Sequence, residues 1–113
     1  MLKKLQALFV AALVVSLCAA SVPAVAWDGA PSGKITAIEI SGGTNYAFRV
    51  YLNGGGTALC PNGSAFAFLN EADSNYKVFV SSLLLAKAQG STVTLFLITE
   101  GGFCHIGHLG VGS

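Results

Sequence analysis

Between Asp73 and Gly90 the apolar residues recur at a helical period, and on both sides of that stretch they recur at the period of a strand. Tyr76, Phe79, Val80, Leu83 and Leu84 fall at i, i+3, i+4, i+7 and i+8, with Asp73 or Ser74 available as N-cap and Gly90 as terminator. This spacing predicts one amphipathic helix of about four turns. Upstream, Lys34–Ile40 is a β-branched run, and Tyr46–Leu52 alternates with Tyr46, Phe48, Val50 and Leu52 on one face. Ser41–Asn45 joins these two as a hairpin, and the Pro61-Asn62-Gly63-Ser64 turn leads into a third strand, Ala65–Leu69. Downstream lie a fourth strand, Ser91–Ile98, and a weaker fifth, Cys104–Val111. Many of the fourteen glycines are clustered, as Gly42-Gly43, Gly54-Gly55-Gly56 and Gly101-Gly102, and mark turns between short elements.

The predicted order is therefore β-β-β-α-β-β, mainly β with one helix. Three consecutive strands, a helix and two more strands form the chain order of a five-stranded OB-type barrel, whose helix plugs one end between strands three and four. An open α+β sheet with the helix on one face uses the same elements, and periodicity does not separate the two.

The segment before this domain has a different character. After Lys3 and Lys4 no charged residue occurs until Asp28, and Leu5–Leu17 is a continuous apolar run. Basic residues, an apolar core and the small-residue site Ala24-Val25-Ala26 behind Pro23 read as a signal peptide over residues 1–26, cleaved before Trp27. The uncharged stretch is also long enough for an uncleaved anchor, the alternative that the cleavage site argues against. Cys18 leaves with the signal, because the bulky Leu17 before it does not suit a lipidation motif. The expectation is export to the periplasm or the medium, with no membrane span after cleavage and a single domain over residues 27–113.

Export decides how charge and cysteines are read. The part after the cut carries Lys34, Arg49, Lys77 and Lys87 against Asp28, Glu39, Glu71, Asp73 and Glu100, so it is close to neutral. A nucleic-acid partner is excluded on that balance. Cys60 and Cys104 are the two remaining cysteines, and in an oxidising compartment an even pair in a small domain forms a disulfide with only one connectivity. Cys60 precedes strand three and Cys104 begins strand five, so the bridge pins two strand starts that no local contact holds. Its loop should constrain the unfolded chain by about 4 kcal/mol.

With these elements placed, residues 27–113 resemble small secreted bacterial OB-fold proteins related to the B subunit of subtilase-cytotoxin-type AB5 toxins. The resemblance is carried by Gly33-Lys34-Ile35-Thr36 at the first strand, by Cys60, by Leu83–Val93 crossing from helix to strand four, and by Glu100-Gly101-Gly102-Phe103-Cys104. It implies an exported OB-fold domain with a disulfide and a ring-forming glycan binder. No sugar-contacting residue is carried over from it.

The residues themselves offer little catalytic chemistry. His105 and His108 are the only histidines, and on a regular strand three residues apart they point to opposite faces, with no third metal ligand and no evident Asp partner. There is no G-x-S-x-G elbow, no carboxylate pair in a glycosidase setting, and no Lys-Ser/Thr after Gly54-Gly55-Gly56 to make a phosphate cradle. The expectation is a protein that is not an enzyme and uses no cofactor and no metal. Arg49 and Tyr51, outward on strand two, are the candidate ligand residues, a cation and a planar ring suited to a sugar on the usual OB surface. Val78 and Leu85 fall off the helix core stripe and are the candidate interface for a partner or for homo-oligomerisation. A glycan-binding protein is the first expectation, and a structural or envelope-associated interaction module without a small ligand is the second.

Overall fold

The computed structural model describes residues 26–112, so the expected signal segment lies, apart from Ala26, outside the described residues. Five strands and one helix follow one another as β1 (Ser32–Ile40), β2 (Phe48–Leu52), β3 (Ala67–Leu69), α1 (Tyr76–Gln89), β4 (Thr92–Glu100) and β5 (Phe103–Val111). The strands close on one another in the spatial order β1-β2-β3-β5-β4, and β4 returns to β1 through Ser32–Lys34. Every pairing is antiparallel except β3 with β5, which run parallel. A ring has no free edge, and that removes the open-sheet alternative.

Alternation explains how the ring fills. Phe48, Val50 and Leu52 of β2 are buried while Arg49 and Tyr51 between them are not, and Val93, Leu95 and Leu97 of β4 repeat the pattern. These side chains meet Ile35, Leu69, Ile106 and the helical Leu83 and Ala86 in one interior cluster. Each large apolar side chain buried there contributes about 1.5–3 kcal/mol by transfer from water. The Cys60–Cys104 disulfide is formed and both residues are buried in the same cluster.

Three local expectations need correction. Leu84 is 46% exposed, and Ala86 occupies the core in its place. At 100° per residue an i+8 position drifts about 80° round a helix, so the stripe set by Tyr76, Phe79 and Leu83 turns Leu84 out. The N-cap is neither Asp73 nor Ser74 but Asn75, in left-handed conformation at φ 59° and without a side-chain cap. Asp73 is occupied elsewhere, since its Oδ2 accepts the Asn70 N–H at 2.7 Å and holds His105. Tyr46 lies outside β2 and outside its inward set. Its left-handed backbone, φ 57°, is pinned by the Asn70 side chain accepting its N–H at 2.9 Å, and its ring is carried to the outer face.

The N-terminal stretch is tied into the ring. Asp28 N–H donates to the Leu97 carbonyl at 2.9 Å, Leu97 N–H donates to Gly29 at 2.8 Å, and Asp28 Oδ2 accepts the Thr99 N–H at 2.8 Å. Residues 28–31 thus run along β4 ahead of β1.

Candidate functional site

Strand register brings one row of side chains across the outside of the ring. Glu39 of β1 pairs with Arg49 of β2, Arg49 with Phe68 of β3, Phe68 with His105 of β5, and His105 with Ile98 of β4. Phe68 is fully buried although it belongs to the outer face, because Tyr46 covers it edge-on at 4.5 Å and His105 stacks on it at 4.6 Å with an interplanar angle of 10°. Around this small second core the rings continue outward. Phe103 lies 5.1 Å from Tyr46 and stacks on Phe66 at 5.5 Å, and Phe66 lies 5.9 Å from Tyr51.

Both sequence-selected ligand residues belong to this strip. The Arg49 guanidinium sits 4.6 Å from the Phe66 ring centroid, a cation–π arrangement, and its Nε donates to the Tyr46 carbonyl at 2.8 Å. Those contacts leave its Nη groups without a protein partner among the described residues. Tyr51 donates its phenol proton to Glu39 Oε1. That hydrogen bond to a carboxylate raises the Tyr51 pKa above the ordinary phenol value, with slight burial and the Glu39 charge adding to it and Arg49 opposing it. The phenol therefore stays protonated through the neutral range. Next to Arg49 is a shallow depression of about 170 Å³ lined by Glu39, Ile40, Ser41, Ala47 and Arg49.

Sequence reasoning missed Phe66, Phe103 and Glu39. A usable signal existed for the first: in Phe66-Ala67-Phe68-Leu69, burying Ala67 and Leu69 inward forces both phenylalanines to the other side. Phe103, 36% exposed, follows a Gly-Gly turn, and nothing local shows that it will reach Phe66.

His105 contradicts two expectations. It does have carboxylate partners, Asp73 at 2.7 Å from Nε2 and Glu100 at 2.9 Å from Nδ1. Burial lowers its pKa, but the hydrogen bonds and charges of Asp73 and Glu100 more than offset this, and the net shift is upward. His105 and His108 also share the outer face instead of opposing ones. The β4–β5 register pairs Leu97 with Ile106 and Phe96 with His108, so Gly107 is an extra, bulged residue that resets the alternation. A Cβ at Gly107 would overlap the Trp27 ring, which packs there against Phe96 at 5.9 Å and His108 at 6.4 Å. Among the described residues no group of three His, Cys, Asp or Glu is arranged to hold a metal ion.

On the helix, Val78 is 61% and Leu85 57% exposed, and Leu84 widens this uncovered apolar face. The face and the aromatic strip belong to different elements. Among the described residues no helix is long and apolar enough to cross a membrane. In comparisons with known proteins, no family model, no curated protein and no solved structure matches the chain.

Proposed function

We propose that the closed sheet is an OB-type barrel, and that the chain is an exported, non-enzymatic protein that binds a glycan on the outer face of β2, β3 and β5. One observation carries this reading: Tyr51, Phe66 and Phe103 form a run of rings bordered by the unengaged ends of Arg49 and by Glu39. Flat rings stack on the CH face of a sugar, while charged groups at the border bond its hydroxyls. His105 supports a role without catalysis, because both ring nitrogens are held by carboxylates and neither is left to activate a nucleophile.

A strip this small binds weakly at a single site, and assembly of several copies strengthens it by avidity. On a glycan array, Tyr51→Ala and Phe103→Ala each reduce the signal, and thermal melts show both variants folded, with the lost ring contacts costing about 0.5–1.5 kcal/mol. A broad array without a hit, or binding indifferent to both substitutions, refutes the reading. Export is tested by the intact mass of secreted material, which begins at Trp27; Met1 retained in a membrane fraction contradicts it.

The exposed Val78, Leu84 and Leu85 favour a second reading, a structural or envelope-associated module that acts by self-association or by capping a partner. It predicts concentration-dependent association with no response to sugars.

A further inference from the structure

Glu39 and Arg49 are direct partners across β1 and β2, the placement in which opposite charges ordinarily meet. Here they do not meet. Among the described residues every ion pair involves His105. Glu39 is turned along the sheet to accept the Tyr51 phenol, and Arg49 is drawn away by the Tyr46 carbonyl and the Phe66 ring. The two side chains diverge, and both line the depression that opens beside them, with Ile40, Ser41 and Ala47 completing it. Glu39 and Arg49 thus border one small open depression without forming an ion pair with each other.

Such a pair constrains the ligand. An anionic group seated on the Arg49 Nη atoms is opposed by the Glu39 charge, and an ammonium seated on Glu39 is opposed by that of Arg49. Neutral hydroxyls satisfy both sides at once. One hydroxyl donates to the Glu39 oxygen that Tyr51 leaves free, and its neighbour accepts from Arg49.

We infer that the Glu39/Arg49 pocket is the specificity element of this face, selecting uncharged saccharides with a vicinal diol over acidic and amino sugars. The inference rests on the glycan-binding reading and adds the ligand class to it. Glu39 and Tyr51 hold each other in place, so Glu39→Gln keeps an acceptor for the phenol while removing the charge.

The test is a titration of the domain and of Glu39→Gln with methyl glycosides of a neutral hexose, a uronic acid and an amino sugar, with a thermal melt as control for folding. In the wild type the uronic acid binds about tenfold or more weakly than the neutral sugar, and Glu39→Gln narrows that gap to about threefold or less. Arg49→Gln does the same for the amino sugar. A wild type that prefers the uronic acid, or a neutral-to-acidic ratio that Glu39→Gln leaves unchanged, overturns the inference and leaves glycan binding standing. Absence of binding to all three sugars and to the array overturns both.

Discussion

His105 shows how much a single residue can hold together on this face. It stacks on Phe68, bonds Asp73 in the loop before α1 and bonds Glu100 at the end of β4, so three separate segments meet at one imidazole. Its pKa is raised in the folded state, so its contribution to stability is complete below the unfolded value of about 6.5 and is lost as pH rises through the higher folded value. His105→Gln should lower stability by about 1–3 kcal/mol at pH 6, the range for hydrogen bonds to charged groups. Thermal melts of both proteins from pH 6 to 9 should converge as the wild-type imidazolium is lost; a constant difference would show that the charge contributes nothing. Gly63 has a comparable local role against the disulfide. A Cβ there would overlap the sulfurs of Cys60 and Cys104, so Gly63→Ala is expected to cost about 1–3 kcal/mol by forcing the turn off the bridge. A melting temperature equal to wild type would refute that packing.

At the scale of the elements, β2 and the helix were legible in the sequence because each has one face in the core and one outside, which leaves a period in the residue types. Phe48, Val50 and Leu52 against Arg49 and Tyr51 is such a pattern. What was not legible depends on partners far away in the chain. The bulge at Gly107 could be seen only as the three-residue step from Ile106 to Leu109 among the inward residues of β5, and without β4 alongside that step has no meaning. The aromatic strip likewise needs the parallel pairing of β3 with β5, which sets Phe68 beside His105 across a whole helix of intervening chain. Because Trp27 is the only tryptophan and lies over Gly107, its fluorescence reports the bulge. Gly107→Val should push the indole off β5 and shift its emission to the red, and unchanged emission would mean that the ring finds equal cover elsewhere. For α1, Val78→Ser with Leu85→Ser should abolish any concentration-dependent association seen by sedimentation and leave the monomer's stability within about half a kcal/mol. Association that persists in the double variant would place the interface on another element.

For the whole molecule, the disulfide and the closed ring act together. The bridge joins residues 44 apart in sequence, and the chain-entropy estimate gives about 4 kcal/mol from constraining that loop in the unfolded state. Cys60→Ser should therefore cost about 2–5 kcal/mol in denaturant melts, while a loss below about 1 kcal/mol would mean that the ring itself already holds the β3 and β5 starts. The outer face carries a small open depression beside Arg49, and next to it Tyr51 of β2, Phe66 just ahead of β3 and Phe103 of β5 line up as a run of rings. The central claim is that this face is where a sugar binds. Amide chemical-shift mapping during a titration with a neutral methyl hexoside tests it most directly. The account predicts saturable shifts at Glu39, Arg49, Tyr51, Phe66 and Phe103, with α1 silent. Saturable shifts centred on α1 or on the Trp27 end of β4, or no shifts up to roughly 10 mM sugar, would contradict it.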